Sequence, residues 1–115
     1  MVSRARAHFV PDRGDAIWLE LTPQAGHEQA DRRPALVLSP RAYNGRVGLA
    51  LVCPITNQAK GYPFEVEIPT GLNVSGVVLA DQVKRLDWIA RRAAFIDAVP
   101  ATVVTRTLKL AHTLL

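Results

Sequence analysis

Cysteine is nearly absent from this 115-residue chain: Cys53 stands alone. That excludes an internal disulfide framework and any multi-cysteine metal site. In Leu51-Val52-Cys53-Pro54 it reads as a buried strand cysteine rather than a nucleophile. No run approaches the roughly 18 apolar residues that a membrane span requires. The N-terminal Met1 to His8 carries the positive charge of a signal peptide without its apolar region, so a cytoplasmic location is the default expectation. Lysine is scarce as well, with three against eleven arginines. Arginine suits forked contacts to phosphate or carboxylate, although a GC-rich genome produces the same bias. The formal net charge of +4 permits an anionic partner without requiring one.

With 49% hydrophobic and 21% charged residues the chain can bury a core. Its length fits one domain over 1–115, with 1–8 a flexible basic N-terminus. There is no internal repeat, low-complexity tract or linker.

Short strands separated by turn residues dominate. Asp15 to Leu21 places Ile17, Leu19 and Leu21 on one face, Trp18 and Glu20 on the other. Pro34 to Ser39 is a second strand, with proline tolerable at its start. Ser39 to Gly45 reads as a helical turn with Ser39 as N-cap, Pro40 first and Gly45 closing. Val47 to Ile55 is a continuous apolar run, expected as a central strand. Tyr62 to Ile68 alternates Phe64, Val66 and Ile68 with two glutamates. Gly76 to Ala80 follows, continued by Asp81 to Trp88, and a last strand spans about Ala93 to Ile96. Pro100 opens a helix with Val104, Leu108, Ala111 and Leu115 on its apolar face, widened by Leu110 and Leu114. The pattern predicts a mainly β fold, a small, partly open barrel carrying a C-terminal helix.

The loop Gly26-His27-Glu28-Gln29-Ala30-Asp31-Arg32-Arg33-Pro34 gathers a carboxylate, an imidazole and two guanidinium groups before the apolar run Ala35 to Leu38. Loops anchored on a strand commonly hold binding or catalytic groups. A solvated loop with an incidental ion pair is the competing reading.

Four stretches in order carry a resemblance to a known family: Pro11-Asp12-Arg13-Gly14-Asp15-Ala16-Ile17-Trp18, the loop Gly26 through Pro40, Gln58-Ala59-Lys60-Gly61-Tyr62-Pro63-Phe64-Glu65-Val66, and Leu79-Ala80-Asp81-Gln82-Val83-Lys84. On these the chain resembles the MazF/PemK/Kid family of bacterial toxin endoribonucleases, the MazF branch especially, from about Phe9 to the last helix. The resemblance implies an SH3-like barrel, a homodimer and metal-independent cleavage of single-stranded RNA within a short motif, of the ACA type. It also implies neutralisation by a MazE-like antitoxin and no cofactor. Its catalytic pair falls on Arg33, in the Glu28-Gln29-x-x-x-Arg33-Pro34 pattern, and on Thr56, in Pro54-Ile55-Thr56. The chain departs from the pattern in its extra N-terminal basic residues, in Arg32, and in Asn57 beside Thr56. These departures bear on base preference more than on chemistry.

Metal-free cleavage uses the RNA 2′-hydroxyl as nucleophile, so the protein must assist its deprotonation, stabilise the phosphorane and stabilise the 5′-oxygen leaving group. Arg33 suits phosphate charge, its fork matching two oxygens, and is a poor proton donor. Thr56 can position the scissile phosphate; by itself a threonine at a strand end is usually a β-former or cap. Glu28 is the candidate base, with a structural ion pair to Arg32 or Arg33 as the alternative. His27 titrates in the right range. His27, Gln29, Arg32, Lys60, Gln82, Lys84 and Trp18 are the candidate RNA contacts, Gln82 through a base edge and Trp18 by stacking or by packing under the loop. His8 and His112 read as ordinary surface or helix residues. A non-catalytic toxin on the same barrel, trapping DNA gyrase by protein contact, is the alternative function, because fold alone does not fix activity.

Overall fold

The computed structural model describes residues 9–21 and 32–115. Alternation of apolar residues along Asp15–Glu20 builds β1, with Ile17 and Leu19 buried on one face and Ala16 on the other. Leu21, expected on the buried stripe, is 50% exposed just past the strand end. The second strand, β2, runs Arg32–Val37, starting two residues ahead of the expected start, because Arg32 pairs with Glu20 of β1. A helix, α1, covers Arg41–Val47, then β3 covers Ala50–Thr56. Three short strands follow, β4 Glu65–Glu67, β5 Val77–Leu79 and β6 Lys84–Leu86, then β7 Ala94–Ala98 and helix α2 Ala101–His112.

The helical turn expected from Ser39 is displaced. Pro40 occupies the N-cap, and Gly48 (φ 79°) closes the helix, while Gly45 lies inside it. Ser39 is no cap because its hydroxyl is committed elsewhere: it donates to Asn44 Oδ1 at 2.6 Å and accepts from Leu51 N–H at 2.9 Å. The first N–H of α1 finds a remote acceptor instead, the Asp12 carboxylate at 2.8 Å from Arg41 N. Asp12 also accepts from Arg13 N–H, and these bonds hold its pKa below the ordinary value. The central apolar run begins as strand only at Ala50, since Val47 and Gly48 complete the helix.

Pairing is antiparallel, in the order β4-β5-β3-β2-β1-β7, with β6 joining β3 alongside β5. Among the described residues β4 and β7 stay at the two ends of this path, so the barrel does not close. Both faces of the sheet are covered. Leu36, Cys53, Ile55 and Val78 pack with Val103 and Val104 of α2, and Ile17, Leu19, Ala35, Val37 and Val52 form a second cluster with Leu86 and Trp88. The fold is mainly β with a C-terminal helix, as the sequence predicts. The buried stripe of α2 is Val103, Val104, Thr107 and Ala111; Leu115, expected to join it, lies beyond the helix and is 96% exposed. Thr107 tolerates full burial by donating its hydroxyl to Val103 O at 2.8 Å.

Candidate functional site

Where β1 ends, β2 begins and β3 ends, strand register gathers the polar residues. Leu19 pairs with Arg33, and Ala35 pairs with Pro54. The β2–β3 pairing ends at Ala35 and Pro54, with Arg33 two residues before it on β2 and Thr56 two residues beyond it on β3. Side chains alternate along a strand, so Pro54 and Thr56 project to one side of β3, and Arg33 and Ala35 to one side of β2; Thr56 does not line the cleft that holds Arg33 and Pro54. Lys84 stands opposite Val52, on the far edge of β3. A cleft of about 90 Å³ is lined by Arg33 and Lys84 together with Glu20, Pro34, Pro54 and Arg91. Arg33 is exposed and donates through Nη1 to Arg32 O at 3.0 Å.

Thr56 is half-buried at the strand end, and its Oγ1 accepts the Gln58 N–H at 3.1 Å. A hydroxyl that accepts one bond keeps its hydrogen as a donor. The backbone behind it is tightly seated. Gly76 has φ 109°, and a Cβ there would stand 2.2 Å from Thr56 O. Only glycine fits both demands.

The other sequence candidates divide by position. Arg32 and Arg33 are consecutive in β2 and so face opposite ways; the Arg32 guanidinium lies 4.6 Å from the Trp18 ring centroid. Trp18 and Arg32 thus form a stacked pair on the other side of the strand from Arg33. Lys60 is exposed, but the amides of Lys60 and Gly61 already donate to Glu65 Oε2 and Oε1, each at 2.9 Å. Gln82 is exposed in the β5–β6 turn and does not line the cleft. His27, Glu28 and Gln29 lie outside the described residues.

Arg91 is a cleft residue that sequence reasoning missed. Its Nη1 donates to Glu20 O at 2.9 Å and Leu21 O at 2.7 Å, while Glu20 N–H donates to Arg91 O at 2.9 Å. These bonds clamp the exit of β1. The only local signal was a turn: Asp87 accepts from Ile89 and Ala90 N–H groups just before it. Larger concavities lie along α2 and hold none of the candidates; the apolar one, about 940 Å³, is lined by Leu51, Val83, Leu108 and Leu115. Cys53 is fully buried, and burial pushes its thiol up to about 12, which keeps it an inert thiol. Among the described residues no helix is long and apolar enough to cross a membrane.

Comparison with known proteins gives this arrangement a context. A family model for the PemK-like, MazF-like toxin of type II toxin-antitoxin systems matches residues 12–115. The endoribonuclease toxin MazF of Escherichia coli strain K12 is 54% identical over 93 residues, covering 81% of this chain and 79% of the relative. Endoribonuclease PemK of E. coli is 38% identical over 109 residues, covering 90% and 81%. The fold matches a crystal structure of MazE-MazF from Deinococcus radiodurans with a TM-score of 0.85 and 50% identity, covering 93% of this chain and 96% of that one. The chain therefore belongs to the PemK-like, MazF-like toxins of type II toxin-antitoxin systems.

Proposed function

We infer that the chain is an endoribonuclease toxin that cleaves single-stranded mRNA at a short motif and thereby arrests translation and growth. The observation that supports the chemistry is that Arg33 and Lys84 line one cleft with Pro54, and that Thr56 ends the strand, β3, that carries Pro54. Cleavage begins with attack of the RNA 2′-oxygen on phosphorus, its proton passing to Glu28. Arg33 holds two phosphorane oxygens by its fork and compensates their growing charge, which is the step where preorganised donors count most. The Thr56 hydroxyl donates to the same phosphate and fixes its position. The bond from phosphorus to the 5′-oxygen then breaks, and a proton from water completes the leaving group. The products are a 2′,3′-cyclic phosphate and a 5′-hydroxyl. No cofactor enters this sequence, since the nucleophile belongs to the substrate.

Membership of a type II system implies a MazE-like antitoxin, and the MazE-MazF structure of D. radiodurans offers the parallel. An acidic, partly disordered antitoxin segment laid over the basic cleft would exclude RNA. The exposed apolar groove at Leu51, Val83 and Leu115 supports pairing with a second copy of the chain, as a homodimer. A cytoplasmic site of action follows from mRNA as substrate.

The test is cleavage of a long defined RNA in EDTA by wild type and Arg33→Ala, with ends mapped by primer extension. Site-specific cuts with 5′-hydroxyl ends are expected, reduced about 100- to 1,000-fold in the variant. Equal cutting by both proteins would refute the role of Arg33. Failure of both to cut would favour the gyrase-binding alternative, which a supercoiling assay then checks.

A further inference from the structure

We propose that Asn57 reads a base next to the scissile phosphate and so helps set the cleavage motif, a role that rests on Thr56 sitting at that phosphate. Asn57 is the residue after Thr56 and is exposed. An exposed asparagine ordinarily bonds only to water, but this one has a side-chain partner. Ser75 Oγ donates to Asn57 Oδ1 at 3.0 Å. With Oδ1 accepting from Ser75, the planar amide turns its two Nδ2 N–H donors to the other side of the group. The backbone on the Ser75 side is constrained: a Cβ on Gly76 would lie 2.9 Å from Asn57 Oδ1 as well as against the Thr56 carbonyl. The Thr56-Asn57 step is thus pressed onto the Ser75-Gly76 backbone, which leads directly into β5 and its pairing of Val77 with Thr56.

This places a threonine hydroxyl and an amide partnered by Ser75 on adjacent residues. Neighbouring Lys60 and Gly61 amides are occupied by Glu65, so they do not compete for the same base. A pair of N–H donors selects a base edge that presents an acceptor. Such discrimination depends on donors that lose a partner when the wrong base enters. Sequence-specific reading of RNA targets unstacked single-stranded bases, whose edges are open to such a group.

The experiment cleaves a randomised RNA pool with wild type, Asn57→Ala, Asn57→Asp and Ser75→Ala, and sequences the new ends. At one fixed position of the motif, Asn57→Ala is expected to lose roughly 5- to 150-fold discrimination, the range for a good base contact. Asn57→Asp replaces donors by acceptors and should favour a different base at that same position. Ser75→Ala, which frees the amide, should blur that position alone. Motif profiles of Asn57→Ala and Ser75→Ala that superimpose on wild type would overturn the proposal, even if Asn57→Asp cuts nothing. A wild type that cuts no member of the pool would overturn the ribonuclease reading itself, and is distinguished before any variant is compared.

Discussion

Asn44 is fully buried in α1, and its side chain ties three separated pieces of chain together. Nδ2 donates to Pro11 O at 2.8 Å and to Ser39 O at 2.9 Å, and Oδ1 accepts from Ser39 Oγ at 2.6 Å. Its backbone oxygen also receives the Trp88 indole N–H at 3.0 Å. Truncation to alanine leaves two buried carbonyls and a hydroxyl without their partner, and each such group costs about 1–3 kcal/mol. Asn44→Ala is therefore expected to lower unfolding stability by about 2–4 kcal/mol, read as a lower urea midpoint with little change in slope. Asn44→Asp should be at least as damaging, since an acceptor-only carboxylate would face the Pro11 and Ser39 carbonyls. A midpoint within experimental error of wild type for both variants would remove this network from the account of stability.

Among the elements, the turn leading into β5 couples fold to site. Gly76 combines φ 109° with a Cβ position only 2.2 Å from Thr56 O and 2.8 Å from its carbonyl carbon, all of it backbone that cannot rotate away. Gly76→Ala should force β3 and the turn apart at Thr56. Loss of stability beyond the roughly 1–3 kcal/mol of a strained backbone is expected. Cleavage should fall further than the folded fraction does, because Thr56 moves with the shift; activity tracking the folded fraction alone would refute the coupling. The same region shows what sequence can and cannot disclose. Alternation in Asp15–Glu20 and the helical spacing after Pro100 expose β1 and α2 because each pattern is local. The start of α1 misled because Ser39 is used by Asn44 and Leu51, a long-range demand that no capping rule sees. Arg33 and Thr56 were singled out by family resemblance alone, and where they stand relative to the Ala35–Pro54 pair depends on the register between β2 and β3, which no local pattern discloses. Arg91 was not legible at all: its partners Glu20 and Leu21 are about 70 residues away in the chain.

Across the whole molecule, the formal net charge of +4 is modest, so RNA affinity must depend on where the cations stand rather than on their number. Arg33, Lys84 and Arg91 line one cleft, with Glu20 the only acidic residue on its wall among the described residues. Lys109, on α2, lines other concavities and not this one. Each phosphate neutralised on a single strand contributes a slope of about −0.7 in log K against log salt. Lys84→Ala should therefore weaken binding of an RNA blocked by a 2′-deoxy substitution at the scissile position, and should make the slope shallower by about 0.7. Lys109→Ala removes the same charge from the molecule and should leave the slope unchanged. Comparing the two separates a contact in the cleft from the general field, because a pure net-charge effect would lower both equally. Identical slopes for the two variants would mean that RNA does not run through the cleft at Arg33, and the path of the substrate would have to be sought along α2.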